Sequence, residues 1–257
     1  MSLSLLLVLA GCRTSAPPEP ARQGEVPVDE IVAAPPTSLP DLDVPAHPLL
    51  TLGQAKPVPD STVAYHPAQA AGTFRIYQLY TDVKGDPWRP ETVQVEYIEP
   101  GGAEQHLRIA GDELVTYATR EWGVIDGGWG VTRVMSTGQE EFQALSPPEL
   151  VLALVGQYNS TFTGTQVTVE AIAQQQITVP SGTYQTARVE RRWTIRGQQI
   201  IENSWWAPEG MVAQAYSVIH MDRRTNRLKV LVAQGSTFDA ATLVPQVSAA
   251  RQSLGLE

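Results

Sequence analysis

Apolar and polar side chains alternate along much of the chain between residues 73 and 238. Val93 and Val95, for example, are each flanked by polar residues, which is the two-residue period of a half-buried strand. Turn-forming pairs such as Arg196-Gly197 separate the alternating runs. The pattern predicts a meander of about ten antiparallel strands, and a sheet of that size must curl or close.

One segment of this region lacks the alternation and carries the start signals of a helix. Ser146 is an N-cap residue, Pro147 suits the first helical position, and Glu149 completes a capping box. Residues 150–155 are apolar on all sides, as in a buried helix. We therefore predict a short buried helix over residues 147–155. The predicted fold is mainly β, a strongly curved, half-barrel-like antiparallel sheet packed on this helix, with a β-sandwich as the alternative.

The N-terminus begins with a short apolar run that ends at the chain's single cysteine. Residues 3–11 are too few to span a bilayer and match the apolar part of a secretory signal peptide. Leu9-Ala10-Gly11-Cys12 resembles the lipobox of bacterial lipoproteins. The resemblance implies cleavage between Gly11 and Cys12, a diacylglyceryl group on the Cys12 sulfur, and a membrane anchor built from fatty acyl chains such as palmitate. Arg13 stands where an aspartate favours inner-membrane retention in diderm bacteria, so the resemblance favours the outer membrane.

Proline is concentrated between this motif and the β-rich region. Twelve of the chain's 20 prolines lie within residues 12–72. Because proline supplies no backbone donor, this density predicts a disordered, partly polyproline II linker with solvated histidines at His47 and His66. The predicted organisation is a signal peptide at 1–11, a lipid-anchored linker at 12–72, a globular domain at 73–238, and a loosely held tail at 239–257 with a short helix near 247–254.

Composition excludes several classes of function. The formal net charge is -9, with 18 basic and 27 acidic residues, so the chain lacks the basic footprint of a nucleic-acid-binding protein. One cysteine cannot form an internal disulfide or a zinc ribbon. Calcium loops and phosphate-binding loops are absent from the sequence, and we predict no cofactor or metal.

The residues needed for catalysis form no defined pattern. A nucleophilic triad needs a serine, a histidine and an acid brought together, and no Gly-x-Ser-x-Gly elbow occurs. His106 and His220 are expected on solvent-facing strand positions, and Ser181 lies in a predicted turn. Glu190 and Glu202 show no paired arrangement of the kind that glycosidases use. The sequence therefore predicts a protein that is not an enzyme.

Two turn motifs in the second half carry a further resemblance. Residues 179–184 read Val-Pro-Ser-Gly-Thr-Tyr, and residues 205–212 read Trp-Trp-Ala-Pro-Glu-Gly-Met-Val. The pairing resembles a group of uncharacterised bacterial envelope proteins and is similar to the half-barrel lipoprotein-carrier superfamily. In that superfamily a curved antiparallel sheet wraps helices over an apolar cavity. The resemblance implies such a sheet here, with a site for an apolar ligand such as a lipid.

Two functions follow as alternatives. The first is a structural or assembly partner in an envelope complex, and the second is a carrier of an apolar ligand. The residues predicted to line a ligand site are Leu150, Leu154, Trp193, Trp205 and Trp206. A local excess of arginine predicts solvated hairpin tips or a basic patch for lipid phosphate or an acidic partner, made by Arg191, Arg223, Arg224 and Arg227. Arg191 also shares its strand face with apolar residues, so it needs a partner or marks the mouth of a cavity.

Overall fold

The structure is a computed structural model. It describes residues 46–57, 70–83, 88–110, 113–125, 128–153, 157–162, 165–221 and 223–253. The predicted signal peptide, the lipidation site at Cys12 and the predicted ligand-lining Leu154 lie outside these residues.

Thirteen strands of the described residues form one antiparallel sheet, accompanied by one helix, α1 (Ala240–Ser253). The strands are β1 (Thr51–Lys56), β2 (Phe74–Val83), β3 (Arg89–Ile98), β4 (Glu104–Ala110), β5 (Glu113–Ile125), β6 (Gly128–Ser136), β7 (Gln143–Ala153), β8 (Gln157–Phe162), β9 (Thr165–Val179), β10 (Gly182–Ile195), β11 (Gln198–Ala207), β12 (Gly210–His220) and β13 (Arg223–Gly235). Their hydrogen-bonded order is β1-β9-β10-β11-β12-β13-β2-β3-β4-β5-β6-β7, with β8 also paired to β9. The order ends at β1 and β7 without closing, which confirms the predicted mainly β, half-barrel-like fold class.

The sheet consists of two meanders that are joined by one long-range pairing. Strands β2 to β7 follow one another in space as in sequence, and so do β9 to β13. Strand β13 then pairs with β2, so that Leu228 lies opposite Tyr80 and Lys229 opposite Leu79. This pairing brings residues from the two ends of the domain next to each other.

The predicted helix over residues 147–155 is wrong, because strand β7 occupies most of this range. The two prolines lie in an irregular stretch, since residues 145–148 all fall opposite Thr132 of β6. Strand β7 also ends the hydrogen-bonded order, and the end of a sheet tolerates residues that lack a backbone N–H. Leu150 and Val151 are buried, so the apolar run belongs to a buried strand instead of a buried helix.

The one helix of the described residues lies in the predicted tail. The helix expected near residues 247–254 begins earlier, at Ala240, where the Asp239 carboxylate accepts a hydrogen bond from the Ala241 amide as an N-cap. Leu243 and Val247 are buried against apolar side chains of β2, β3 and β4. The tail is therefore packed on the sheet over this range, and the expectation that it is loosely held is wrong. In the described part of the chain, no helix has both the length and the hydropathy needed to cross a membrane.

Part of the predicted linker also belongs to the sheet. Strand β1 lies inside the range 12–72 and pairs with β9. His47 is buried, although it was expected to be solvated, and its ring lies 4.4 Å from that of Tyr80 and 5.1 Å from that of Trp88, measured between centroids. The imidazole accepts a hydrogen bond from the Leu49 amide. Burial lowers the pKa of His47 from 6.5 to about 4.

We predict that burial of His47 makes the protein less stable in mild acid. Between pH 6.5 and about 4 the unfolded chain binds a proton at this histidine and the folded chain does not. The contribution of His47 to the free energy of unfolding therefore falls as the pH falls through this window, by up to about 3 kcal/mol. Urea unfolding of the full-length chain at pH 7 and pH 4.5 measures this loss.

Two variants test whether His47 causes this pH dependence. His47→Phe keeps an aromatic ring between Tyr80 and Trp88 and should lose less stability than the wild type between the two pH values. His220→Gln removes an exposed histidine and should behave as the wild type. An unchanged pH dependence in the His47→Phe protein would contradict the assignment.

Candidate functional site

One face of the sheet carries a row of charged side chains. Directly opposed residues in antiparallel strands share a face. Arg75 of β2 is opposite Glu96 of β3, and Glu96 is opposite His106 of β4. Lys229 of β13 is opposite Leu79 of β2. Leu79 is four residues from Arg75 and therefore lies on the same face of β2. The β13–β2 pairing thus places a lysine from one end of the domain beside acids from the other.

Glu96, His106 and Lys229 border a cavity of about 280 Å³. Its wall comes from β3, β4, β5 and β7 on one side and from β10 to β13 on the other, which shows how far the sheet curls over its own face. Most of the wall is charged or amide-bearing, and the aromatic members are Tyr117, Trp122 and Trp206. A second cavity of about 290 Å³ shares Gln94, Glu202, Gln214 and Lys229 with the first, so the two adjoin.

Glu96 is the centre of a buried ion cluster, formed by Arg75, Glu96, Glu104, His106 and Lys229. Its Oε1 atom lies 2.5 Å from Lys229 Nζ and 3.8 Å from His106 Nδ1. Its Oε2 atom lies 3.8 Å from Arg75 Nη1, and His106 Nε2 lies 2.6 Å from Glu104 Oε1. All five residues are buried, so each charge depends on the others for its stability.

The electrostatics of the cluster keep both acids ionised. Burial alone would raise the pKa of Glu96, but Lys229, His106 and Arg75 outweigh it and lower that pKa. Burial is likewise opposed at Glu104, where the hydrogen bond and charge of His106 lower the pKa to about 2. Neither carboxyl is therefore tuned to exchange a proton near neutral pH, as a general acid or base would be.

Tyr77 lies beside the cluster as a neutral phenol. Burial, followed by the charge of Glu96, raises its pKa well above the usual value. Its hydroxyl donates to the Met211 carbonyl at 2.7 Å, and Lys229 Nζ lies 4.2 Å from the centroid of its ring. The ring thus contributes a cation–π contact to the ammonium that neutralises Glu96.

Three members of the cluster also offer metal-ligating atoms. Donor atoms of Glu96, Glu104 and His106 all lie within 4.8 Å of one another. Two carboxylates and an imidazole form a donor set that suits several transition metals. Lys229 and Arg75 already compensate the charge of Glu96, however, so a divalent cation would have to displace an ammonium group at 2.5 Å. The cluster is therefore organised as an ion-pair network.

A second charged group, on the other side of the cavity, surrounds Arg191. Its Nη2 atom donates to Glu149 Oε1 at 2.6 Å, and its Nη1 atom donates to Glu202 Oε1 at 3.3 Å. Arg191 thus has partners and also lines the cavity, the two alternatives that its position among apolar residues suggested. Within the described part of the chain, its Nε atom is buried without a hydrogen-bond partner, and so is Nε1 of Trp122.

The other predicted basic residues lie apart from this group or at its edge. Arg224 donates hydrogen bonds to Asn226 and Ser217 beside the β12–β13 turn. Arg227 is exposed and borders the second cavity. The Arg223 side chain lies outside the described part of the structure. The predicted basic patch would thus include Arg191, which is buried and already paired with Glu149 and Glu202.

The predicted ligand-lining residues are distributed over different environments. Trp206 lines the first cavity, 5.8 Å from Trp122 between ring centroids. Trp205 and Leu150 lie in the hydrophobic core, and the Trp205 indole donates to Gln175 Oε1 at 2.9 Å. Both tryptophans are buried because both faces of β11 are covered here. Trp193 is half-buried near the end of β10.

The expectation for His106 is wrong and that for His220 is confirmed. His220 is exposed at the end of β12. His106 alternates with the apolar Leu107, as a solvent-facing residue would, but the face that it occupies is curled over the cavity. Glu96 and Glu104 were missed for the same reason. The signal in the sequence is the coincidence of acids and a histidine on the polar faces of the adjacent strands β3 and β4.

The two turn motifs lie at the hairpins that they were expected to form. Residues 179–184 connect β9 to β10, and residues 205–212 connect β11 to β12. In the second motif Gly210 has a φ of +132°, and a Cβ atom there would overlap the guanidinium of Arg75. Comparisons with family models, curated proteins and solved structures find no match to this chain.

We predict that Lys229→Met destabilises the protein by about 3–5 kcal/mol, because it leaves Glu96 buried without its nearest cation. The loss should be largest at neutral pH and should shrink in acid as Glu96 takes up a proton. Adding Glu96→Gln to Lys229→Met should recover part of the loss. Thermal and urea unfolding of the full-length chain measure these effects.

The matched control is Arg227→Met, which removes a charge from the same strand at an exposed position. It should change the free energy of unfolding by less than about 1 kcal/mol. Equal effects of the two substitutions would show that the buried ion cluster does not contribute as assigned.

Proposed function

We propose that this chain is a lipid-anchored lipoprotein of the bacterial cell envelope, whose β-rich domain serves as a non-enzymatic partner in an envelope assembly. The anchor rests on the lipobox-like Leu9-Ala10-Gly11-Cys12 at the end of an apolar run. In a diderm host, Arg13 after the cysteine favours the outer membrane. The net charge of -9 means that anionic headgroups repel the protein, so covalent acyl chains supply the attachment.

A non-enzymatic role is supported by the state of the buried charges. In the cavity wall, Glu96 is paired with Lys229 and Glu149 with Arg191. The pKa of both Glu96 and Glu104 is lowered. A catalytic acid or base needs a pKa near the working pH. Ion networks of this kind are instead used to hold one arrangement of strands in preference to others.

The observation that carries the assembly role is an apolar patch at the end of β10, defined by Trp193, Ile195 and Tyr216. Ile195 is 41% exposed and lies two residues beyond the half-buried Trp193, on the same strand face. Tyr216 lies 5.9 Å from Trp193 between ring centroids. Aromatic residues with an exposed aliphatic neighbour and charged surroundings are typical of the centre of a protein interface.

The alternative function, a carrier of an apolar ligand, is less well supported. An apolar ligand needs a wall of hydrophobic and aromatic side chains with few polar groups. The larger part of the cavity wall here is charged or amide-bearing, and burying a lipid chain against it would leave those groups without solvent. Of the four predicted lining residues that the structure describes, Trp206 alone appears in the wall of the first cavity.

Lipidation is tested by Cys12→Ser in the full-length chain, produced in a bacterial host that is fed radiolabelled palmitate. The wild type should incorporate the label and sediment with membranes, and the variant should do neither, because the acyl chains are joined through the cysteine sulfur. Arg13→Lys leaves the lipobox intact and should be labelled as the wild type. Label on the Cys12→Ser protein would contradict the anchor.

The assembly role is tested by crosslinking in cells, followed by recovery of the full-length chain. We expect one partner protein in stoichiometric amount, and its loss in Ile195→Asp, because a carboxylate placed in the apolar patch must be desolvated on binding. Val124→Asp changes another exposed apolar residue, 69% exposed on β5, and should keep the partner. Equal recovery with both variants, or no stoichiometric partner, would contradict the role of the patch.

A further inference from the structure

Two neighbouring hairpin turns lie at the same end of the sheet. Residues 196–197 connect β10 to β11, and residues 221–222 connect β12 to β13. Strand β11 pairs with β12 so that Gln199 is opposite Ile219. Each of these residues is close to its turn, so the two turns are adjacent.

Each turn places a side chain in a backbone conformation that L-residues rarely adopt. Arg196 has a φ of +49°, and Met221 has a φ of +54°. Two-residue hairpin turns require such angles and favour asparagine, aspartate or glycine there. Arginine and methionine are therefore unfavourable local choices at these positions. Backbone strain of this kind often marks a residue that is kept for its function.

The side chains that reach solvent around these turns are apolar or basic. Met221 is 87% exposed, which leaves a large apolar side chain at the tip of a hairpin. Asp222 and Arg223 lie outside the described side chains, and their charges oppose each other. The exposed charged side chains that the structure describes in residues 191–201 and 216–229 are all basic, namely Arg192, Arg196 and Arg227.

These three arginines are available to an anion outside the domain. Arg196 and Arg227 form no ion pair within the described part of the chain. Arg192 donates to the buried Glu190, but 48% of its side chain remains exposed. The end of β10 to β13 is therefore a locally basic surface on a chain whose net charge is -9.

An anionic membrane surface matches this combination of side chains. Guanidinium groups pair with lipid phosphates at the level of the headgroups, and an exposed methionine can enter the apolar boundary below them. The acidic remainder of the chain is repelled by such a surface. Because salt screens charges beyond about 8 Å at physiological ionic strength, the nearest side chains dominate once the surfaces are in contact.

The N-terminal side of the domain is at this same end of the sheet. Trp88 follows the connection between β2 and β3, and its Nε1 atom donates to the carbonyl of Ala46, the first described residue. That connection neighbours the β12–β13 turn, since Thr225 is opposite Val83. The chain that leads to the proposed anchor at Cys12 thus leaves the domain near the two turns. A tether at this end raises the effective concentration of lipid there, which favours a membrane over an acidic protein.

We infer that this surface, the basic tip formed by Arg192, Arg196, Met221 and Arg227, is a second membrane contact that binds anionic phospholipid. The arginines pair with phosphate groups, and the Met221 side chain enters the interface. The contact holds the tethered domain in one orientation on the bilayer. It goes beyond the proposed assembly role and rests on the proposed lipid anchor only for the position of the tether.

The test measures co-sedimentation of the full-length Cys12→Ser protein, which carries no acyl chains, with vesicles at millimolar lipid. Vesicles of phosphatidylglycerol and phosphatidylethanolamine are compared with vesicles of phosphatidylcholine. Partition onto the anionic vesicles should be about tenfold stronger or more, because each basic residue at such a surface contributes about fivefold. It should also weaken as salt is added. Equal partition onto both kinds of vesicle, or none, would overturn the inference.

Two substitutions remove the contacts and keep the turns. Arg196→Asn and Met221→Asn each introduce a residue that tolerates a positive φ, so thermal unfolding should show equal or higher stability. Partition onto anionic vesicles should fall about fivefold in the first variant and by a smaller factor in the second. The apolar residues 3–11 are common to all variants and do not affect these comparisons.

The matched controls change the same kinds of side chain elsewhere. Arg133→Asn removes an exposed arginine from β6, and Val124→Asn removes an exposed apolar side chain from β5. Both should partition as the Cys12→Ser protein does. Unchanged partition in either tip variant, or an equal loss in the controls, would overturn the assignment.

Crosslinking in cells separates the basic tip from the apolar patch. Arg196→Asn and Met221→Asn leave Trp193, Ile195 and Tyr216 unchanged and should retain the partner expected for the assembly role. Loss of that partner with unaffected vesicle binding would show that the tip contacts a protein, and would overturn the inference. If the wild type has no stoichiometric partner but vesicle binding behaves as expected, the assembly role alone is overturned.

Discussion

The contact between Lys229 and Glu96 is the interaction on which the arrangement of the domain depends. The two residues are separated by 133 positions, and they meet at 2.5 Å because β13 pairs with β2. Without that pairing, each meander would hold an excess of buried charge, acids in β3 and β4 and a lysine in β13. Because an uncompensated buried charge is very unfavourable, the ion cluster couples the formation of the two halves of the sheet. The large sequence separation between Lys229 and Glu96 also favours slow folding.

Most of the sheet could be predicted from local pattern, whereas one predicted helix was wrong and the helix of the tail was predicted to begin too late. Alternation located most of the strands and the turns between them, because most strands have one apolar face. Strand β1 instead fell within the predicted linker. The helix predicted over residues 147–155 was wrong because an apolar run without alternation is compatible with a buried strand or a buried helix. Capping residues before it favoured the helix, whereas β7 accommodates its prolines in a bulge at the end of the sheet. At Ala240 the signal was present, an aspartate at the N-cap, but it was read as part of a tail.

The candidate site could be predicted only at Arg191 and Trp206. An arginine among apolar residues on one strand face is anomalous in any strand, and the anomaly pointed to a partner or a cavity. Glu96, Glu104 and His106 carried no such anomaly, because polar residues on the polar face of a strand look the same whether that face meets solvent or a curled sheet. The missing information is curvature, which arises from the pairing of many strands and leaves no mark on any one of them. The ion cluster is therefore a property of the topology.

Strand β1 has a mechanical consequence for a protein tethered at its N-terminal side. It is the first strand of the sheet along the chain, and its ladder with β9 has four paired positions interrupted by an irregularity between Leu52 and Ala55. Strand β9 is held on its other side by twelve paired positions with β10. If Cys12 is fixed in a membrane as proposed, tension along the chain loads the short ladder before the long one. Detachment of β1 would then lengthen the tether while the remaining strands stay paired.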